Sequence, residues 1–302
     1  MIKRRTVISG LAALPFTAGL ARATPTANTK KLVSKSGLSL PPIGMGTWLT
    51  FNISLGSPEL SQRKAVLEAF FDAGGGMIDS SPMYGNSEKI VGHLMKELPE
   101  DANLFSATKI WTPIASNGDN QLSQSQRLWN ENILDLEQVH NLLRWEPHLK
   151  MLREAKAKGT IRYIGLTTSH GRRHDAFEKL MRSEDIDTVQ FTYNILDREA
   201  EKRLLPTAQD KGLAVIINKP FRTGGLFNRV KGQNLPDWAV SELDCQSWAE
   251  YLLKFIISHP AVHCVIPATR RADHMRENMR AGTGKLPDAA MRETMIRHFE
   301  SL

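Results

Sequence analysis

Between residues 43 and 267, short apolar runs alternate with longer stretches in which apolar side chains return every three or four positions. The runs close at Thr47, Asp79, Lys109, His140, Thr167, Gln190, Asn218 and Pro267. From Asp79 onward, successive ends lie 30, 31, 27, 23, 28 and 49 residues apart. A βα unit takes about 30 residues, so this rhythm predicts parallel strands joined by helices. The intervening stretches predict helices over 59–72, 88–98, 123–132, 147–158, 173–182, 199–211, 247–258 and 271–281. Trp248, Tyr251, Leu252 and Phe255 show the spacing of a helix packed on a sheet. Eight strands with eight helices predict an α/β protein built as one (β/α)8 TIM barrel over residues 36–302. The alternative, an open doubly wound sheet, normally carries Gly-x-Gly-x-x-Gly after its first strand, and none follows Thr47.

The amino terminus breaks this pattern. Lys3-Arg4-Arg5 precedes an interrupted apolar run over 7–20, which ends in Ala21-Arg22-Ala23, a small-x-small cleavage signature. Residues 1–23 therefore predict a signal peptide, and the paired arginines before Val7 and Ile8 resemble a twin-arginine signal, which exports proteins already folded. A periplasmic location and the export machinery as a partner follow from that reading; without use of the signal the location is cytoplasmic. A Thr/Lys/Ser-rich spacer spans 24–35, and the run over 7–20 is too short and broken to span a bilayer well, so no membrane span is expected in the mature chain.

Composition then changes the picture only in part. Of 302 residues 41% are hydrophobic and 24% charged, the balance of a globular protein with a large core. The net charge of +7 falls to +3 once Lys3, Arg4, Arg5 and Arg22 are removed, leaving 35 basic against 32 acidic side chains, so net charge gives no support to a nucleic-acid partner. Two cysteines, Cys245 and Cys264, are too few for a disulfide framework. Cys264 sits in an apolar run and is expected as a small buried hydrophobe. No metal site is expected.

In a (β/α)8 barrel the chemistry sits at the carboxyl ends of the strands. Asp79, Lys109 and His140 close three consecutive runs. A single ionisable residue there reads as a cap or surface group, whereas three in succession point to a site.

These residues also carry a resemblance. Met77-Ile78-Asp79-Ser80-Ser81-Pro82-Met83-Tyr84-Gly85-Asn86-Ser87-Glu88 resembles the aldo-keto reductase signature, with an Asp closing the second strand and a Tyr five residues later. Gly46-Thr47-Trp48, Thr108-Lys109 and Asp135-Leu136-Glu137-Gln138-Val139-His140 stand in the matching order, and the similarity runs over about 31–281. The resemblance implies reduction of an aldehyde or ketone, or the reverse, with Asp79, Tyr84, Lys109 and His140 as the catalytic set. The chemistry is coherent on its own. A carbonyl needs a hydride on carbon and a proton on oxygen, and a tyrosine hydroxyl becomes a usable acid only beside a cation that stabilises the phenolate. Lys109 supplies that cation, Asp79 holds it, and a neutral His140 orients the substrate oxygen.

By the same resemblance the cofactor is NADP(H), with NAD(H) left open. Gln190 matches the glutamine that holds the nicotinamide carboxamide, Gly46 and Thr47 the floor of that pocket, and Thr167 and Thr168 the hydroxyl-bearing pair beside it. Asn218 closes the seventh barrel strand, and Arg222, Gly224 and Gly225 belong to the loop expected over the pyrophosphate. Arg270 and Arg271 precede a helix whose start would receive phosphate, and they favour a 2′-phosphate. Glu277 and Asn278 match adenine contacts. Trp48 and Trp111 resemble walls of a substrate pocket for a small-molecule carbonyl; packing is their other reading. The sequence departs from the family pattern at Thr167-Thr168, Asn218, Ala268 and His274. These departures bear on the tightness of cofactor binding and on the choice between NADPH and NADH, while the family's use of its fold without turnover keeps open a cofactor-binding sensor or partner subunit. A lyase using Lys109 as a Schiff-base nucleophile is the remaining alternative. The oligomeric state is not legible.

Overall fold

The structure is a computed structural model that describes residues 31–32, 35–99 and 102–302. The expected signal peptide, 1–23, and most of the expected spacer lie outside the described residues.

The described chain opens with β1 (Lys31–Leu32) paired antiparallel to β2 (Ser39–Leu40). The barrel follows as β3 (Met45–Gly46), α1 (Leu60–Asp72), β4 (Met77–Asp79), α2 (Ser87–Met95), β5 (Phe105–Ile110), α3 (Gly118–Trp129), β6 (Leu134–Val139) and α4 (Trp145–Ala157). Its second half is β7 (Ile161–Thr167), α5 (His174–Ser183), β8 (Thr188–Thr192), α6 (Leu204–Lys211), β9 (Ala214–Asn218), α7 (Gly225–Arg229), α8 (Asp237–Leu243), α9 (Trp248–Ile257), β10 (Cys264–Val265) and α10 (Ala272–Arg280). A last helix, α11 (Ala289–Ser301), closes the chain.

Strands β3 to β10 pair in chain order and are all parallel. The ring closes where Ile43 bridges Val265: Gly44 N donates to Val265 O (2.8 Å), Val265 N to Pro42 O (3.0 Å) and Gly46 N to Pro267 O (3.0 Å). Glycine is required at this seam, because a Cβ on Gly46 would stand 2.9 Å from the Ile266 carbonyl oxygen. The predicted eight-stranded parallel barrel is thus the observed one.

Side-chain alternation gives two apolar layers. Leu136, Met77, Ala107, Ala214, Ile216 and Cys264 fill the barrel interior, and Leu38 and Leu40 join them from the β1–β2 hairpin. The larger layer lies between strands and helices and includes Val66, Phe70, Trp129, Phe177, Leu252 and Phe255. Cys245 and Cys264 are both buried and free. In the stretch expected as a spacer, the Lys31 ammonium donates to the carbonyls of Ile257 (3.1 Å), His259 (3.0 Å) and Val262 (2.7 Å) at the end of α9. A cation there satisfies carbonyls that the helix leaves free, and burial lowers its pKa to about 8.

Helix limits differ from the expected ones for local reasons. The expected 123–132 helix begins instead at Gly118 and stops where Asn130 turns left-handed (φ 59°). The 49-residue gap before the last barrel strand holds α7 and α8 as well as the predicted α9. Among the described residues no helix is long and apolar enough to cross a membrane.

Candidate active site

Asp79, Lys109 and His140 stand at the carboxyl ends of neighbouring strands β4, β5 and β6, so pairing alone sets them side by side. The Lys109 ammonium is completely buried; it donates to Asp79 Oδ2 (2.6 Å) and to the Ser80 carbonyl (2.6 Å). Asp79 Oδ1 accepts from Gln190 Nε2 (2.8 Å) and Gln138 Nε2 (3.4 Å). Each charge is therefore paired and its remaining hydrogen-bonding capacity is used, the condition under which a buried ion pair persists. Burial alone would depress the Lys109 ammonium, but the Asp79 carboxylate and Tyr84 outweigh it and the net shift is upward.

Tyr84 ends a single 3-10 turn, Pro82–Tyr84, that starts at Ser81, whose Oγ accepts from Met83 N (3.2 Å). The next residue, Gly85, has φ 62°, and a Cβ there would lie 2.3 Å from Asn52 Oδ1, so only glycine lets the chain turn away and leave Tyr84 over the barrel mouth. The Lys109 Nζ sits 5.2 Å from the Tyr84 ring centroid. Burial raises the Tyr84 pKa above 10, while Lys109 opposes the rise through charge and hydrogen bonding. The phenol therefore holds its proton at neutral pH.

His140 meets Tyr84 edge-on, with ring centroids 5.8 Å apart. Its Nδ1 lies 2.9 Å from Ser81 Oγ. A neutral ring that accepts the Ser81 hydroxyl proton at Nδ1 carries its own N–H on Nε2, facing the cavity side of the pair. Burial, reinforced by Lys109, lowers the His140 pKa to about 2. The imidazole is neutral and serves as a hydrogen-bond donor.

Above these groups lies a cavity of about 350 Å³ whose lining includes Gly46, Thr47, Trp48, Asp79, Tyr84, His140, Gln190 and Asn218. Lys109 sits behind that lining. A Schiff-base nucleophile must be deprotonated and must face its substrate; Lys109 does neither, so the geometry speaks against the lyase alternative. A larger depression of about 880 Å³ opens at the other end of the barrel, around Met77, Phe105 and Arg162, and none of the candidate catalytic residues lines it.

The sequence model of the aldo/keto reductase family matches residues 42–295. The chain belongs to the aldo/keto reductase family. Its similar proteins include a methylglyoxal reductase of Escherichia coli, 29% identical over 82% of this chain and 88% of that protein. A second is an NADH-specific methylglyoxal reductase of the same organism, 28% identical over 67% and 70%. Among solved structures, an aldo-keto reductase from Klebsiella pneumoniae in complex with NADPH superposes with a TM-score of 0.75 at 23% identity, over 91% of this chain and 95% of that one.

In this family member the cavity takes in only part of the remaining predicted site residues. Gly224 and Arg270 line it, whereas Thr167, Thr168, Gly225 and Arg271 do not. The Thr167 and Thr168 side chains are tied locally: Asn141 N donates to Thr167 Oγ1 (3.1 Å), and Thr168 Oγ1 lies 3.3 Å from His170 Nδ1. Arg222 is bound by Asp197 (Nε to Oδ2, 2.7 Å) and Arg271 by Asp273 (Nε to Oδ1, 3.0 Å). Glu277 and Asn278 lie on α10, Asn278 buried. Asn218 Nδ2 donates to the Thr168 carbonyl (3.0 Å), and Asn218 Oδ1 accepts from Thr192 (2.8 Å). Trp48 is a wall; Trp111 is 41% exposed and lies outside the lining.

Sequence reasoning missed Gln138, Ser81, Ser169 and Lys219. Gln138 was within reach, because two residues from His140 along a strand means the same face. Ser169 lines the cavity one residue beyond the expected Thr167-Thr168 pair.

It also missed a buried acid pair behind Lys109. Glu137 pairs in register with Thr108 across β5 and β6, and Thr108 Oγ1 donates to Glu88 (2.7 Å). Glu88 has a second donor in Trp129 Nε1 (3.0 Å), but neither Glu137 oxygen has a partner among the described residues. Burial, then Glu88, raises the Glu137 pKa well above its ordinary 4.5, against the pull of Lys109. The folded protein thus keeps a proton that the unfolded chain releases. Stability from this group is complete below about pH 4.5 and is lost as pH rises toward the folded-state value. Glu137→Leu is expected to stabilise the fold by about 1–3 kcal/mol, more at pH 8 than at pH 5. Urea unfolding at the two pH values checks this, and a variant less stable than wild type at pH 8 contradicts it.

Proposed function

We propose that the protein is an NADP(H)-dependent reductase of small aldehydes and ketones, with Tyr84 as general acid in reduction and base in the reverse direction. The observation that carries this reading is the set of a protonated Tyr84, a buried Lys109–Asp79 pair and a neutral His140 at one cavity in an aldo/keto reductase. The carboxyl end of the barrel suits a dinucleotide. Gln190 and Gly46 both line the floor, with the Gln190 amide oriented by Asp79 (2.8 Å), and a Cβ at Gly224 would meet nothing within 4 Å, so the loop after β9 leaves room for close approach. Helix α10 begins without a side-chain cap, which leaves its first amides for a phosphate, and Arg270 beside it has no hydrogen-bond or salt-bridge partner among the described residues. Arg270 favours the 2′-phosphorylated nucleotide.

A nicotinamide held over Gly46, Thr47 and Gln190 would supply the hydride that the carbonyl carbon needs. His140 Nε2–H holds the carbonyl oxygen near the Tyr84 hydroxyl, and Tyr84 protonates that oxygen as negative charge develops. Lys109 stabilises the phenolate left behind, and Asp79 keeps the ammonium in place. Methylglyoxal is a fitting first substrate, given the names of the similar Escherichia coli reductases.

We propose further that the twin-arginine segment exports the folded protein to the periplasm with its nucleotide already bound, since soluble nicotinamide cofactors belong to the cytoplasm. One preparation tests both parts: protein isolated from the periplasm of its own source, its released nucleotide identified, and turnover followed at the nicotinamide band with methylglyoxal and aromatic aldehydes. Release of NADP(H) and faster turnover with NADPH than with NADH are expected. Tight nucleotide binding without turnover across a broad carbonyl panel favours the sensor reading.

A further inference from the structure

Four cations stand at or beside the mouth of the cavity: Lys219, Arg222, Arg270 and Arg271. Asp197 holds Arg222 and Asp273 holds Arg271. The Lys219 ammonium makes no hydrogen bond or ion pair among the described residues; the nearby Asp197 carboxylate, which its charge helps keep ionised, is already bound by Arg222. It stands over the ring of Trp48, whose centroid lies 5.7 Å from Nζ. Lys219 follows β9, Trp48 follows β3, and β10 runs between them in the closed ring, so the lysine reaches across the seam. Both residues line the cavity and both are half-buried.

The backbone at Lys219 supports a positional role. A lysine at φ 50° is in a region that costs energy and persists only where its surroundings impose it. Here the Lys219 carbonyl accepts from Asn194 Nδ2 (3.2 Å) and from Arg222 N (3.1 Å), and Asn194 Nδ2 is also bound to Asp197 (2.7 Å). The ammonium is carried on a braced turn.

The neighbours indicate what the ammonium is for. Leu49, Met83 and Phe227 line the same cavity and are exposed to it, which makes the mouth apolar. A partnerless cation beside apolar walls and over an aromatic face binds an anion more strongly than one in open water. Arg270, beside α10, is the cation placed for a nucleotide phosphate, whereas Lys219 stands over Trp48, on the wall expected to contact substrate.

Resting on the reductase reading, we infer that Lys219 selects carbonyl substrates carrying an anionic group, a carboxylate or a phosphate monoester, by binding that group over Trp48. Two matched pairs distinguish the anions: 4-carboxybenzaldehyde against methyl 4-formylbenzoate, and glyceraldehyde 3-phosphate against glyceraldehyde. In Lys219→Met the ratio of kcat/KM, anionic over neutral, should fall about tenfold or more in at least one pair, chiefly through KM, and Lys219→Arg should restore most of it. Calorimetry of 4-carboxybenzyl alcohol and glycerol 3-phosphate binding to the NADP-loaded protein should show the same loss without turnover. That binding result stands even if wild type reduces nothing, in which case only the reductase reading fails. Unchanged ratios and unchanged binding in Lys219→Met, or a loss seen only in NADPH affinity, overturn the inference.

Discussion

Tyr84→Phe is expected to lower the rate of carbonyl reduction by about 10²- to 10⁴-fold while leaving the affinity for NADPH within about twofold of wild type. The substitution deletes one oxygen and keeps the ring that meets His140 edge-on. It also leaves the 3-10 turn intact, because Ser81 and Gly85 build that turn. The predicted loss is therefore one of proton supply, and it should appear in kcat rather than in KM. Because burial raises the Tyr84 pKa above 10, wild-type reduction should stay flat across neutral pH, whereas the reverse reaction, which needs the phenolate, should still be accelerating at pH 10. Steady-state kinetics in both directions, with cofactor affinity from fluorescence titration, check this. A phenylalanine variant that turns over at the wild-type rate removes Tyr84 from the chemistry.

Lys109→Met should have two separable consequences. With the ammonium gone, the Asp79 carboxylate stays buried with only Gln190 and Gln138 as donors, and breaking a buried pair in this way costs about 3–5 kcal/mol. Turnover should fall by about 10²-fold or more, because nothing then stabilises the Tyr84 phenolate. The double variant Asp79→Asn/Lys109→Met separates the effects: it removes the stranded charge, so most of the lost stability should return while activity stays low. Urea unfolding and kcat measured on the two single variants and the double variant form the cycle. Recovery of activity with stability would mean that the pair serves the fold alone.

The strands were legible because each carries a short apolar run with a chemically distinct residue at its carboxyl end. Asp79, Lys109 and His140 could therefore be placed on neighbouring strands from spacing alone, and their juxtaposition followed from parallel pairing. Helices α7 and α8 were not legible, since they interrupt a connection instead of filling a βα slot. Helix α11 has a readable start in Asp288, which caps it by accepting from Met291 N (2.8 Å). Glu137 was hidden by its position, because a glutamate in an apolar strand does not say whether it has a partner. The roles of the cations were hidden for the same reason. Arg222 and Arg271 look like free anion binders until Asp197 and Asp273 are seen beside them, and Lys219 stands out only after those pairings are known.

The seam between β3 and β10 also determines when the site can exist. Ile43 and Val265 are separated by 222 positions in the chain, and the cavity draws Gly46, Thr47 and Trp48 from one side of that join and Ala268 and Arg270 from the other. Contacts so distant in sequence form late, after the loop between them has been ordered. During synthesis, a chain that has not yet reached Val265 has β3 and β9 as open edges, able to pair with other chains, and its cavity still lacks the wall formed by Ile266, Ala268 and Arg270. Ring closure thus couples two events: the barrel loses its sticky edges in the same step that completes the cavity.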